Sequence, residues 1–198
     1  MNHSTEPASA WVQRWSHLVK PGGTVLDVAC GTGRHAKWFA KQNHAVVGVD
    51  RCRSAIESIT SSLPSDVFES VVADIENGPW PLPGRQFDAV VITNYLWRPL
   101  WPTLLASLTP GGVLLYETFA QGNETVGKPS RPDFLLRSGE LLMVCNALQV
   151  VSFEDGFEGA LETPSGIKCA RFVQRIAAVH AQSGAGNTAS PPPRYALI

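Results

Sequence analysis

This chain has no excess of charge of one sign and no closely spaced pair of cysteines. Its 16 Lys and Arg residues nearly balance 17 Asp and Glu residues, giving a formal net charge of -1 over 198 residues. The net charge of the whole chain therefore gives no electrostatic reason to expect a nucleic acid or an anionic membrane as partner. The four cysteines contain no C-x-x-C pair, so we expect no metal site and no disulfide framework, as is usual in a reducing cytoplasm.

We also expect neither a membrane span nor an export signal. The stretch from Leu141 to Phe153 is too short to span a bilayer, and the N-terminus lacks the basic and then apolar order of a signal peptide. We expect a cytoplasmic protein, monomeric or homodimeric, without a membrane partner.

What the chain does have is an alternation of short apolar strands with helices. The pattern predicts strands over 24–28, 44–49, 67–73, 87–93 and 113–119, and helices over 10–19, 34–42, 51–62 and 97–108. A helix over 134–147 precedes strands over 148–154 and 167–179, whose short connection requires an antiparallel hairpin.

This order predicts an α/β fold, Rossmann-like and doubly wound. Its mostly parallel seven-stranded sheet should carry an antiparallel strand near its end. We expect one domain over residues 10–180, a flexible N-terminus over 1–9 and a disordered tail over 181–198.

The first strand ends in a glycine turn that opens a helix, Val25-Leu26-Asp27-Val28-Ala29-Cys30-Gly31-Thr32-Gly33-Arg34-His35-Ala36. Such a turn lets a ligand lie against bare backbone. The spacing of its glycines also fits the dinucleotide fingerprint, so an NAD-dependent oxidoreductase is one interpretation. The acid just ahead of the glycines favours a different ligand, because a carboxylate repels a pyrophosphate and attracts an ammonium group.

Polar residues follow the next three strands. Asp50 lies 50 − 33 = 17 positions after Gly33, where an acid can accept hydrogen bonds from a ribose diol, and Asp74 and Asn94 end later strands. Each also has an ordinary explanation: Asp50 as a surface acid, Asp74 as a helix cap or turn residue, Asn94 as a turn residue. Ligands of open α/β sheets bind at this edge, so the ordered set predicts one pocket.

These residues resemble the motifs of class I S-adenosylmethionine-dependent methyltransferases. The glycine turn resembles the first motif, and Phe87-Asp88-Ala89-Val90 and Leu108-Thr109-Pro110-Gly111-Gly112 resemble later signatures. The segment from Glu117 to Glu124 is similar to a bacterial subgroup of tellurite-resistance-type methyltransferases. The resemblance implies S-adenosylmethionine as cofactor, with Asp74 and Ile75 at the adenine; the implied binding residues are Asp27, Gly31, Thr32, Gly33, Asp50, Asp74, Ile75 and Asn94.

The implied activity is in-line methyl transfer to a small-molecule acceptor held between the fourth and fifth strands. Candidate walls of the acceptor site are Tyr95, Trp97, Arg98, Trp101, Glu117, Asn123 and Glu124. Tyr95 and Glu117 are the catalytic candidates, and Glu117 has the better case because a buried carboxylate without a partner is costly. Core packing of the tryptophans and a surface ion pair for Arg98 are the alternatives. We expect His35 on a helix surface, and a noncatalytic S-adenosylmethionine-binding protein is a further alternative.

Overall fold

Seven strands form a single sheet in the computed structural model, which describes residues 6–162, 168–181 and 194–197. They are β1 (Thr24–Val28), β2 (Ala45–Asp50), β3 (Phe68–Val72), β4 (Phe87–Thr93), β5 (Leu108–Phe119), β6 (Gln149–Glu162) and β7 (Lys168–Val179). The helices are α1 (Ala10–Trp15), α2 (Arg34–Ala40), α3 (Arg53–Thr60), α4 (Trp101–Ala106) and α5 (Glu140–Val144). Short 3₁₀ turns cover Ser16–Leu18, Arg98–Leu100, Asn123–Thr125 and Pro132–Phe134.

The strand order is β3-β2-β1-β4-β5-β7-β6. Strands β1 to β5 pair in parallel, and β7 is antiparallel to both β5 and β6. Strands β1 and β4 are buried almost throughout, as expected for parallel strands covered on both faces. The predicted seven-stranded sheet with one antiparallel strand near its end is confirmed.

Two hydrophobic clusters cover the two faces of the sheet. Helices α1 to α3 supply Trp11, Trp15, Phe39 and Ile59 to one of them, and α4 and α5 supply Leu104 and Leu141 to the other. The parallel strands therefore end at one edge, between two packed helical layers. That edge carries the residues that the sequence assigned to a cofactor.

Several predicted boundaries were wrong. The helix predicted over 134–147 is reduced to α5, because Gly139 adopts a left-handed φ of 70° and a 3₁₀ turn begins at Pro132. Strand β5 begins at Leu108, five residues earlier than predicted, because Leu108 pairs with Phe87 and Gly111 N–H donates to the carbonyl oxygen of His180.

The termini also differ from expectation. Ala8 and Ser9, assigned to a flexible segment, are buried. Tyr195, assigned to a disordered tail, packs against the cluster that contains Trp11 and Trp15, while residues 1–5, 182–193 and 198 lie outside the described residues. Across the described ranges, no helix has the length and apolar character needed to cross a membrane.

Candidate active site

The glycine turn between β1 and α2 is built from left-handed backbone. Ala29, Gly31 and Gly33 have φ values of 53°, 54° and 75°. A Cβ on Gly33 would lie 2.6 Å from Ile59 Cδ1, so this glycine also lets α3 pack closely. The turn leaves its backbone at the carboxyl edge of the sheet, where a ligand can approach it.

Asp27 lies beneath this turn and is buried, with 1% exposure. Its Oδ2 accepts a hydrogen bond of 3.0 Å from Ala36 N, in the first turn of α2. Burial raises the pKa of the carboxyl to about 7, against the lowering effect of this hydrogen bond and of Arg34. An acid that titrates near neutrality thus lies directly behind the candidate cofactor turn.

Asp50 links β2 to the glycine turn. Its Oδ2 accepts from Gly31 N and its Oδ1 from Cys52 N, both at 2.8 Å. A carboxylate oxygen can accept two hydrogen bonds, so both oxygens keep capacity for a ligand while the backbone fixes their orientation.

Asp74 caps the turn that follows β3. Its oxygens accept from Glu76 N at 3.0 Å and from Asn77 N at 3.1 Å, and Asn77 Nδ2 donates to it at 3.0 Å. The Asn77 amide and these backbone bonds hold the pKa of Asp74 below its usual range. The turn explanation is therefore correct, and it leaves Asp74 and Ile75 on the wall of a cavity.

This cavity lies at the carboxyl ends of β1 to β4, is open to solvent and has a volume of about 150 Å³. It is lined by Ala29, Asp50, Arg51, Ala73, Asp74, Ile75, Glu76 and Tyr95. Three carboxylates face one guanidinium here, a balance that disfavours a pyrophosphate. Sequence reasoning missed Arg51, Ala73 and Glu76, although each is adjacent to a residue that it named.

The remaining predicted cofactor residues are placed at the same edge but do not line the cavity. Asn94 has an exposed side chain and a left-handed φ of 54°, and its N–H donates to the Glu117 carbonyl oxygen at 2.9 Å. Thr32 is half-buried within the glycine turn.

Tyr95 lines the same cavity as Asp50 and Asp74. Burial raises the pKa of its phenol, so it is poorly suited to remove a proton at neutral pH. Its hydroxyl is buried without a hydrogen-bond partner among the described residues.

Glu117 is buried, with 1% exposure, but it is paired. Arg175 Nε donates to its Oε2 at 2.5 Å, and Arg171 Nη1 lies 3.6 Å from its Oε1. Arg175 also pairs with Glu154 and Glu158, so the cluster ties β5 to β7 and β6. The expectation that Glu117 lacks a partner was wrong. The argument for Glu117 as a base therefore no longer holds.

Two predicted acceptor contacts, Arg98 and Asn123, serve the fold instead. Arg98 pairs with Glu140 at 2.7 Å and donates to the carbonyl oxygens of Asp133 and Leu135. Buried Asn123 uses both ends of its amide, donating to the Pro129 carbonyl oxygen and accepting from Phe172 N. These side chains hold the loop after β5, so they have little capacity left for a substrate.

Glu124 and the two tryptophans behave similarly. Glu124 accepts from Gly122 N at 2.8 Å and caps a 3₁₀ turn. Trp97 and Trp101 pack against the core cluster on the α4 face. The core interpretation of the tryptophans is therefore correct.

The opposite error concerns His35, which the sequence placed on a helix surface. It is 2% exposed, because the N-terminal segment and β4 enclose it. Sequence reasoning also missed Arg175, although a charged residue beside Ile176 in an apolar strand is a signal of a buried pair. No group of three or more potential metal ligands occurs among the described residues.

Comparison with known proteins agrees with this geometry. Residues 25–112 match the methyltransferase domain family. The chain is 30% identical over 128 residues to a probable thiol methyltransferase 2 of Arabidopsis thaliana, covering 58% of this chain and 56% of that protein. It is 34% identical over 114 residues to a ribosomal protein L11 methyltransferase of Burkholderia lata, covering 54% and 36%. The matched region thus spans about half or less of these curated relatives.

The solved structure of TehB from Haemophilus influenzae superimposes with a TM-score of 0.73 at 17% identity, over 89% of this chain and 64% of that one. At this low sequence identity, the superposition shows that the two chains share a fold and nothing more. The fold is that of solved S-adenosylmethionine-dependent methyltransferases, and residues 25–112 match a methyltransferase domain, which confirms the resemblance carried by the motifs. The nicotinamide alternative loses its support, because its glycine spacing is shared by this class.

Proposed function

We propose that this protein transfers a methyl group from S-adenosylmethionine to a small-molecule acceptor. The observation that carries the proposal is the cavity at the carboxyl ends of β1 to β4, where Asp50, Asp74 and Ile75 meet beside the glycine turn. A carboxylate such as Asp50 suits the ribose diol, and an acid followed by an apolar residue, as in Asp74 and Ile75, suits the adenine. These residues lie at the ends of neighbouring strands.

The residues present fit the cofactor part by part. Asp50, fixed by two backbone N–H groups, would accept from the ribose hydroxyls. Asp74 and Ile75 would meet the adenine, and the backbone from Gly31 to Gly33 would meet the amino-acid portion. Asp27 would attract the ammonium group through the turn, because its carboxyl is buried behind it rather than exposed in the cavity.

When bound, the cofactor supplies a methyl group on a sulfonium, which passes in line to a nucleophile. The protein's contribution to such a step is orientation and exclusion of water. The carboxylates of the cavity orient the cofactor, while the N-terminal segment and the loop after β5 shield the edge. A side-chain base is not required for an acceptor that is already a good nucleophile, such as a thiolate.

The acceptor class rests on two supports. One relative is named as a probable thiol methyltransferase, and the nearly balanced net charge of the chain gives no global electrostatic reason to expect a nucleic acid as acceptor. We therefore place thiols first among small acceptors.

The proposal is tested by measuring S-adenosylhomocysteine release from S-adenosylmethionine over a panel of thiols, amines and phenols and over a metabolite extract. Mass spectrometry then identifies the methylated product. We expect turnover with at least one small acceptor, and a slower turnover of Asp50→Ala at subsaturating S-adenosylmethionine. Tight cofactor binding without any methylated product would instead support a noncatalytic S-adenosylmethionine-binding protein.

A further inference from the structure

The chain before α1 lies across the start of α2. Ser9 caps α1, its Oγ accepting from Val12 N at 3.1 Å. Ala8 and Ser9 are buried, and Glu6 lies 3.6 Å from Arg34, the first residue of α2. Residues 6–9, here called the N-terminal strap, therefore rest against the helix that the glycine turn opens.

His35 joins this strap to the sheet. Its Nε2 accepts from Ser9 N at 3.3 Å, and its Nδ1 lies 3.5 Å from Thr93 Oγ1. A neutral imidazole that accepts at Nε2 carries its proton at Nδ1, so it donates to the Thr93 hydroxyl. One side chain thus connects the strap, the first turn of α2 and the carboxyl end of β4.

The imidazole is suited to this task because it stays neutral. Burial and the neighbouring Arg34 lower the pKa of His35 to about 3. Its Nε2 lone pair is therefore available to Ser9 N–H throughout the physiological pH range.

The position of the contact links it to the reaction. His35 follows Gly33 by two residues, and Thr93 lies in register with Glu117 of β5. The strap thus lies between the glycine turn, where we expect the amino-acid end of the cofactor, and strands β4 and β5, which flank the expected acceptor. Methyl transfer benefits from a covered, dry site at this place.

We propose that His35 is a positioning residue: its imidazole fastens the N-terminal strap across the start of α2, so that the strap covers the amino-acid end of the cofactor site. This inference rests on the proposed function. His35 acts through the strap and contacts neither the cofactor nor the acceptor.

Two pairs of variants isolate the hydrogen bond from Ser9 N to His35 Nε2. His35→Leu removes both polar contacts, whereas His35→Gln keeps an acceptor for Ser9 N–H. Ser9→Pro deletes the donor, and the φ of −59° at Ser9 accommodates proline. Ser9→Ala is its control, because it loses the same helix cap but keeps the N–H group. Ser9 belongs to neither hydrophobic core cluster, so the Ser9 pair remains informative if His35→Leu fails to fold.

Two measurements are made on each full-length variant: amide hydrogen exchange of the segment 6–15 without ligand, and the dissociation rate of S-adenosylhomocysteine followed by tryptophan fluorescence. We expect faster exchange and about 2- to 12-fold faster dissociation in His35→Leu than in His35→Gln, and in Ser9→Pro than in Ser9→Ala, as for loss of one hydrogen bond.

Equal exchange within each pair would show that His35 does not fasten the strap and would overturn the inference. Faster exchange with unchanged dissociation would overturn the covering role. If the wild type binds no S-adenosylhomocysteine at all, the proposed function fails, and that outcome is distinguishable because exchange is measured without ligand.

Discussion

Two buried carboxyl groups at the same edge of the sheet have opposite surroundings. Asp27, on β1, accepts a hydrogen bond from Ala36 N, and burial raises its pKa to about 7. Glu117, on β5, is as buried but is bonded to Arg175 and approached by Arg171. Asp27 is therefore costly to ionise in the free protein. The negative charge of Glu117 is instead balanced by arginines within the fold.

The difference teaches how to interpret a buried acid. Burial alone suggested a functional role for both residues. Only the carboxyl that is left without a cation in direct contact has a reason to attract one from a ligand, while the paired carboxyl stabilises the junction of β5, β6 and β7. The following predictions test this contrast, beginning with the largest expected effect.

Breaking the paired cluster should cost the most stability. Arg175→Met leaves Glu117 buried with only Arg171 nearby, so we expect the free energy of unfolding to fall by about 3–5 kcal/mol. Glu117→Gln should cost less, because Arg175 keeps Glu154 and Glu158. Urea titration measures both.

The exposed pair Arg131–Asp133, with side chains 71% and 73% exposed, provides a control. Arg131→Met should change stability by less than about 0.5 kcal/mol. A Glu117→Gln variant that is stable but inactive would reverse our interpretation of the cluster and restore Glu117 as a catalytic candidate.

Substitutions at the cavity, in contrast to those in the Glu117 cluster, should affect ligand binding more than stability. Asp50→Ala should weaken S-adenosylhomocysteine binding by about 1–3 kcal/mol, because the ribose hydroxyls lose a charged acceptor. Calorimetry measures the change, and Asp66→Ala, an exposed acid at the opposite edge, serves as control. An unchanged affinity would mean that the ribose is held elsewhere.

The raised pKa of Asp27 predicts a pH-dependent affinity. Below pH 7 the free protein holds a proton on Asp27 that must leave before the carboxylate can attract the ammonium group, so affinity should fall by up to about tenfold per pH unit. From pH 7 to 8 the affinity should level off. Titrations with S-adenosylhomocysteine between pH 5.5 and 8 test this dependence, which Asp27→Asn should abolish.

The same linkage has a consequence for stability. Because the folded pKa of Asp27 lies above its unfolded value, the stability contributed by its protonated form is present below about pH 4 and is lost as pH rises through 7. Asp27→Asn should therefore raise the melting temperature of the ligand-free protein at pH 8, and the gain should shrink toward pH 4. A lower melting temperature at pH 8 would contradict the assignment of Asp27 as an uncompensated acid.

The smallest effect is expected at Asp74, whose carboxylate already caps a turn. Asp74→Ala should weaken S-adenosylhomocysteine binding only about two- to tenfold, because Ile75 and the cavity wall remain. Asp74→Asn, which keeps an oxygen acceptor for the turn, separates the cap from the adenine contact. Equal affinities for Asp74→Asn and wild type would exclude a role for the charge.

The sequence was most informative where the signal is local. The strand-turn-helix around Gly31 and the acids ending β2 and β3 are short patterns, and strands of a doubly wound sheet bring their ends together by topology alone. That Asp27, Asp50 and Asp74 lie at one edge of the sheet could therefore be predicted before any contact was known.

The acceptor side could not be predicted in the same way. Glu117 meets Arg175 because β7 inserts beside β5, and the oxygen of buried Asn123 is satisfied because β7 presents Phe172 N to it. His35 became buried because residues 6–9 fold back over α2. Each partner is distant in sequence, so residue type alone suggested contact with a substrate where the fold supplies contact with itself.

The most direct test of the account is calorimetric titration of the wild-type protein with S-adenosylhomocysteine and, separately, with NAD at pH 7.5. The account predicts saturable binding of one S-adenosylhomocysteine per chain and no measurable binding of NAD. Binding of NAD without S-adenosylhomocysteine would contradict the assignment of the cavity, and with it the contrast between Asp27 and Glu117.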